Sequence, residues 1–145
     1  MSEVIKVHFD PKVVSLIMDY SRQRNEAGGL LLGHRYIKEG SVEYEIIKIT
    51  TPSFMDIRAR ALFQRRDKSH LEQAVQFHRD TNGYGDYLGE WHTHPGGASI
   101  KPSIKDLLAF RSSQKLTKTP LIYVIANSYK LNTYTSGGND VVSYY

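Results

Sequence analysis

The sequence predicts an α/β (α+β) fold, a curved mixed β-sheet flanked by helices, in a single domain spanning residues 1–145. Two observations carry that expectation. Segments of strand period or continuous apolar character are interspersed with three segments of helical period. The chain also has no linker, internal repeat or low-complexity stretch, and 145 residues leave room for one domain around one core.

Asp10-Pro11 reads as a helix start, an N-cap side chain followed by proline at the first helical position. Val13, Leu16, Ile17 and Tyr20 then recur at helical spacing, and Arg22 and Arg24 close the helix favourably against its dipole. Leu30–Ile37 and Val42–Thr50 read as antiparallel strands joined near Glu39-Gly40. A further extended piece is expected around Ile57–Gln64. Asp67 opens a second helix with Leu71, Ala74, Val75 and His78 facing inward, and Asn82-Gly83 ends it.

Tyr84–His94 reads as a strand, with Leu88, Glu90, His92 and His94 on one face and Tyr87, Trp91 and Thr93 on the other. A Pro/Gly loop leads to a third helix from Ser103 to about Gln114. Leu121–Ala126 is a β-rich apolar run, hence a buried central strand. Tyr129–Thr135 and Val141–Tyr144 complete the sheet around turns at Asn127-Ser128 and Gly137-Gly138-Asn139-Asp140.

Composition narrows the chemistry. Hydrophobic residues at 40% and charged residues at 23% are ordinary globular values. There is no cysteine, which excludes disulfides and thiolate metal sites, so any zinc must be held by nitrogen and oxygen. No stretch approaches a membrane span and Met1–Asp10 has no apolar run with a cleavage site, so the expected location is cytoplasmic. A net charge of +4 is mildly basic and suggests at most an acidic partner surface; neither nucleic acid nor membrane is expected as a partner.

Within this frame, Glu90-Trp91-His92-Thr93-His94-Pro95 followed by Ser103-Ile104-Lys105-Asp106 is the most informative stretch. Alternation along a strand sends His92 and His94 to the same side, with Cα atoms roughly 6.5–7 Å apart, close enough for both rings to reach one ion. Asp106 is the third candidate ligand. Three protein ligands with a position left for water is the catalytic form of a zinc site. Ser103 and Asp106 also form a Ser-x-x-Asp N-cap pair, which is compatible with Asp106 facing a metal one turn into the helix.

The string His-x-His-Pro with Ser-x-x-Asp resembles the signature of the JAMM (JAB, MPN+) metalloproteases. That family's motif adds an upstream glutamate in a Glu-x-Gly-Gly-x-Leu-x-Gly context, and Glu26-Ala27-Gly28-Gly29-Leu30-Leu31-Leu32-Gly33 fills that place. The spacer between Pro95 and Ser103 is one residue longer than in the best-known eukaryotic members and resembles the prokaryotic branch. The order of elements is similar to the MPN/JAB fold.

The resemblance implies one Zn2+ per chain on His92, His94 and Asp106, Glu26 as general base and acid, and Ser103 as the donor to the oxyanion. Bound zinc lowers the pKa of its water from 15.7 to about 7, and one carboxylate can take a proton from that water and hand it to the departing amine. Glu90 is a rival for the base. It shares a strand face with His92, but a side chain immediately upstream approaches from the ligands' own side, which suits an outer acceptor or ion-pair partner. His8, His34, His70 and His78 lack ligand spacing. Gly28-Gly29 reads either as a plain turn or as a close backbone approach beside the site, where any Cβ would obstruct. Arg58, Arg60, Arg65 and Arg66 form a basic cluster, either a solvated face or a border of the substrate groove.

Family resemblance also implies the substrate class: a bond after the C-terminal glycine of a ubiquitin-like protein or conjugated target, its extended tail added as a strand beside the site. Stand-alone bacterial members resemble those of antiphage operons, of the CBASS or ubiquitin-like conjugation type, with E1- and E2-like partners. Other possibilities are a peptidase of sulfur-carrier metabolism and a non-catalytic MPN scaffold. A zinc nucleobase deaminase is excluded because its Pro-Cys-x-x-Cys motif needs cysteine.

Overall fold

The computed structural model describes residues 4–135 and 140–145. Its elements are β1 (Ile5–Phe9), α1 (Pro11–Ser21), β2 (Gly28–Lys38), β3 (Ser41–Ile49), β4 (Ile57–Ala59), β5 (Leu62–Gln64), α2 (Ser69–Asp80), β6 (Asp86–Thr93), α3 (Ile104–Gln114), β7 (Ile122–Ala126), β8 (Leu131–Thr135) and β9 (Val141–Tyr144). Seven strands form one mixed sheet in the order β8-β7-β6-β2-β3-β1-β9, and β4 and β5 pair separately. β2 runs antiparallel to β3 and β6, while β6–β7, β1–β3 and β1–β9 are parallel. The sheet curls until its edge strands approach, and the Tyr145 hydroxyl donates to the Leu131 carbonyl at 3.4 Å. Among the described residues no helix is long and apolar enough to cross a membrane.

The core has two parts. Ile5, Val7, Ile17, Leu31, Tyr44, Trp91 and Val124 belong to the larger, and Ile100, Phe110, Leu121, Tyr123 and Ile125 to the smaller. β7 feeds both, sending alternate residues to each face, which is why its sequence is apolar throughout. It lies one strand in from the edge.

Most expected elements form, with instructive differences. β1 was not expected, although Ile5, Val7 and Phe9 alternate inward with a strand's period of two. On α1 the Asp10 side chain accepts from the Lys12 N–H at 2.9 Å, as the cap motif predicts. Its buried face, however, is Val13, Ile17 and Ser21, with Leu16 exposed; Arg22 is the C-cap and Arg24 lies beyond it, so neither sits in the last turn. The extended piece over 57–64 is a hairpin of two short strands. The second helix is rotated from its expected phase: His70 is fully buried and Leu71 and Val75 are more than half exposed. A hydrogen-bonded imidazole takes the inward position that apolar periodicity assigned to leucine. Glu39 and Gly40 have φ of 48° and 81°, the two positive values of a tight hairpin turn between β2 and β3. Of the expected turn at Gly137-Gly138-Asn139-Asp140, all but Asp140 lies outside the described residues.

The strand that carries the candidate ligands departs most. Gly89 has φ 155°, and a Cβ there would lie 1.7 Å from the Ile122 carbonyl oxygen. The β2–β6 register shifts at this point. Such a bulge resets the alternation. Leu88 therefore joins Trp91 in the larger core, and Tyr87, not Leu88, packs toward the smaller one.

Candidate metal centre

β6 and β7 are parallel, so α3 is the crossover between them. This topology brings the end of a strand and the start of a helix together. His92 lies in the last turn of pleat of β6. His94 is one residue past the strand, yet its N–H still donates to the Ala126 carbonyl at 2.8 Å, so both imidazoles stay on one side. Ser103 caps α3: its Oγ accepts from the Asp106 N–H at 3.1 Å, and Asp106 Oδ2 accepts from the Ser103 N–H at 2.8 Å. The same carboxylate faces both histidines, Oδ1 lying 3.1 Å from His92 Nε2 and Oδ2 lying 3.2 Å from His94 Nε2. Asp106 thus serves the helix cap and the candidate centre together.

The two Nε2 atoms are 3.3 Å apart. A tetrahedral ion with bonds of about 2.0–2.1 Å sets its ligand atoms roughly 3.3–3.4 Å from one another. The separation of the two nitrogens fits that ion, and each nitrogen has its own Asp106 oxygen at 3.1 or 3.2 Å, so the three side chains form a triangle of ligand groups. His94 Nδ1 lies 2.5 Å from the Ser99 carbonyl. A carbonyl only accepts, so Nδ1 carries a proton and Nε2 is the atom left to ligate. Among the described residues these three side chains form the cluster able to hold a metal. His8, His34, His70 and His78 take no part in it.

Charge shapes the group. Burial pushes the Asp106 carboxyl up, but hydrogen bonds from His92 and His94 hold it well below the usual carboxylate range. The Asp106 hydrogen bond raises His94 against the opposing effect of burial. A cleft of about 1120 Å³ opens over the triangle, lined by Glu26, Ser103, Phe63, Arg65 and Glu90 among others. Burial raises the Glu26 carboxyl above its ordinary value, with the two imidazoles pulling the other way. Among the described residues nothing hydrogen-bonds that carboxylate. Glu90 is the opposite case: Oε1 accepts from Arg65 at 3.2 and 3.3 Å, and Oε2 accepts from the Ser113 hydroxyl at 2.7 Å. Both oxygens are engaged, as befits a brace between the cleft walls.

The five residues singled out by sequence therefore line one cleft. The glycines behave as expected: a Cβ on Gly28 would meet the Phe63 ring at 2.6 Å and the Trp91 carbonyl at 2.7 Å, and one on Gly29 the Thr50 carbonyl at 2.1 Å. Of the basic cluster, Arg60, Arg65 and Arg66 line the cleft. Arg58 turns away from it, donating to the Glu26 carbonyl at 2.9 Å and to Gln23 at 2.7 Å. Phe63 and the Arg65–Glu90–Ser113 link were missed, because partners 25 and 23 residues apart leave no local signal.

Known proteins resemble this chain in sequence or in fold. A Pseudomonas aeruginosa protein named "CD-NTase/cGAS isopeptidase" is 42% identical over 102 residues, covering 69% of this chain and 61% of that one. An Enterobacter hormaechei protein of the same name is 32% identical over 124 residues, covering 80% and 66%. An Escherichia coli protein of that name matches over 70 residues at 36% identity, and the match covers 48% of this chain and 42% of the relative. The matched regions span 42–66% of the length of these relatives. A solution structure from Desulfitobacterium hafniense superposes with a TM-score of 0.64 at 20% identity, covering 94% of this chain and 92% of that one, and shows the same fold. Residues 11–137 match the family described as prokaryotic homologs of the JAB domain, and the chain belongs to that family.

Proposed function

We propose that this chain is a zinc-dependent isopeptidase or peptidase. It would hydrolyse the bond after the C-terminal glycine of a ubiquitin-like protein or a conjugated target, with residues 1–145 acting as one catalytic domain. The observation that carries this reading is the convergence of His92, His94 and Asp106 below a cleft that Glu26 also lines. Zinc, when bound to that triad, would supply a Lewis acid for water and the scissile carbonyl.

The chain's own residues do the rest. Glu26, raised by burial and with its carboxylate unencumbered, takes a proton from the attacking water and passes it to the departing amine nitrogen. Ser103 Oγ accepts the Asp106 N–H, which leaves its own hydrogen free to donate to the carbonyl oxygen as negative charge develops. The Ser99 carbonyl, accepting from Nδ1–H, fixes the His94 ring. Glu90, tied on both oxygens, braces the cleft.

The names carried by the relatives support a target of the CD-NTase class; a bacterial antiviral (CBASS) setting, E1- and E2-like partners and a cytoplasmic location are part of the same proposal. The test is direct. Purified protein is incubated with a CD-NTase joined through the C-terminal glycine. Cleavage after that glycine, abolished by a chelator and restored by zinc, is expected. Cleavage that survives full demetallation overturns the mechanism.

A further inference from the structure

Among the described residues the β4–β5 hairpin has no main-chain pairing with the seven-stranded sheet, yet it walls the cleft through Leu62, Phe63 and Arg65. It also holds Glu26. The Glu26 N–H donates to the Ala59 carbonyl at 2.8 Å, and Arg58 Nε donates to the Glu26 carbonyl at 2.9 Å. Both main-chain polar groups of Glu26 are therefore fixed by β4.

The neck of the hairpin is closed by hydrogen bonds. Asp56 precedes β4, and Arg66 and Asp67 follow β5. Asp56 Oδ1 accepts from the N–H groups of Arg66 at 2.7 Å and Asp67 at 2.8 Å. Its Oδ2 accepts from the Ser53 N–H at 2.8 Å and lies 2.6 Å from His70 Nε2. Asp67 answers across the neck, its Oδ2 accepting from the Met55 N–H at 3.0 Å. The side chains of Asp56 and His70 are both 0% exposed. His70 Nδ1 lies 2.5 Å from Thr50 Oγ1, which accepts from the Leu30 N–H at 2.8 Å. The clip is thus anchored to β2, the strand that leaves Glu26 for the core.

An exposed loop needs no such device. Burying a carboxylate is costly unless every lone pair is met, and here hydrogen bonds hold Asp56 below its ordinary range although burial pushes it up. We propose that Asp56 and His70 are positioning residues for Glu26: they lock the neck of the β4–β5 hairpin, and the hairpin holds the Glu26 main chain at the cleft. The proposal rests on the role given to Glu26 above. Neither residue touches substrate. Their contribution is placement, and a misplacement of about 1 Å from a distant substitution costs about 10²-fold in rate.

The experiment compares Asp56→Ala and His70→Ala with Glu26→Gln and with the two double variants, reading kcat, zinc content and amide exchange. Each single alanine variant should lose about 10²-fold in kcat with zinc retained. Combined with Glu26→Gln it should cost nothing more, because both changes act through one group. Exchange should rise over residues 57–66 and at Glu26 and stay unchanged in β6 and β7. His70→Gln keeps a polar atom toward each partner and should restore most of the rate; Asp56→Asn, whose amide nitrogen cannot accept from Ser53 and His70, serves if the alanine variants do not fold. Additive losses in the double variants, or unchanged exchange over 57–66, overturn the proposal. Wild-type protein that binds zinc and cleaves no glycine conjugate overturns the reading of function instead, and exchange at the hairpin and Glu26 still decides the lock.

Discussion

Gly29→Ala puts the packing beside the cleft to a quantitative test. The new methyl would lie 2.1 Å from the Thr50 carbonyl oxygen and 2.8 Å from both the Thr50 carbonyl carbon and Oγ1. Two of these neighbours are backbone atoms, so no rotamer relieves the clash. The Thr50 carbonyl must retreat by more than an ångström, and it is the acceptor for Trp91 Nε1 at 2.9 Å inside the core. Overpacking of this kind costs about 1–3 kcal/mol. Leaving a buried donor without its partner adds about 1–3 kcal/mol. A loss of about 2–6 kcal/mol is expected, a large share of the 5–15 kcal/mol typical of a domain. Urea denaturation measures the loss, and Trp91 is the sole tryptophan, so its emission reports the broken hydrogen bond without interference. A stability change below about 1 kcal/mol with unaltered emission would refute this account of Gly29.

Three further outcomes are expected. Glu26→Gln should lower kcat by about 10²- to 10⁴-fold while zinc stoichiometry stays at one per chain, measured by single-turnover cleavage and elemental analysis; a comparable loss in Glu90→Gln with full activity in Glu26→Gln would reverse the assignment. Ser103→Ala should cost about 10²- to 10³-fold in turnover and, separately, about 1 kcal/mol of stability through the lost cap, read from a thermal melt. Zinc affinity should rise with pH and then level off. The Asp106 hydrogen bond raises His94 above its ordinary value, so the proton's stabilising effect on the metal-free protein is complete below the unfolded value near 6.5 and is lost as pH rises through the folded one. Zinc needs that nitrogen bare, so its affinity climbs through the same window; a flat titration of Trp91 emission between about pH 6 and pH 9 would contradict this.

How much of this was legible in the sequence depends on the range of the interaction. Asp10-Pro11 and Ser103-x-x-Asp106 announce their helices because a cap is a local hydrogen bond, and both form as written. His92 and His94 share a side because a strand repeats every two residues. The same rule misplaces Leu88, since the bulge at Gly89 is dictated by Ile122 on another strand. β1 is legible in the inward alternation of Ile5, Val7 and Phe9. The phase of α2 was not legible: His70 is turned inward by Asp56 and Thr50, which are distant in sequence. Likewise Arg65 finds Glu90 only after the hairpin folds over the cleft.

The crossover helix raises a final point. Of all its residues α3 buries only Phe110, while Ile104, Leu107 and Leu108 are half or more exposed. So lightly anchored an element is the first expected to detach when the molecule breathes. Asp106 stands in its opening turn, His92 stands on β6 and His94 follows directly after it, so an ion seated among them would cross-link helix to strand. Demetallation should then loosen α3 before any strand separates, and the cleft would lose a wall together with its Lewis acid.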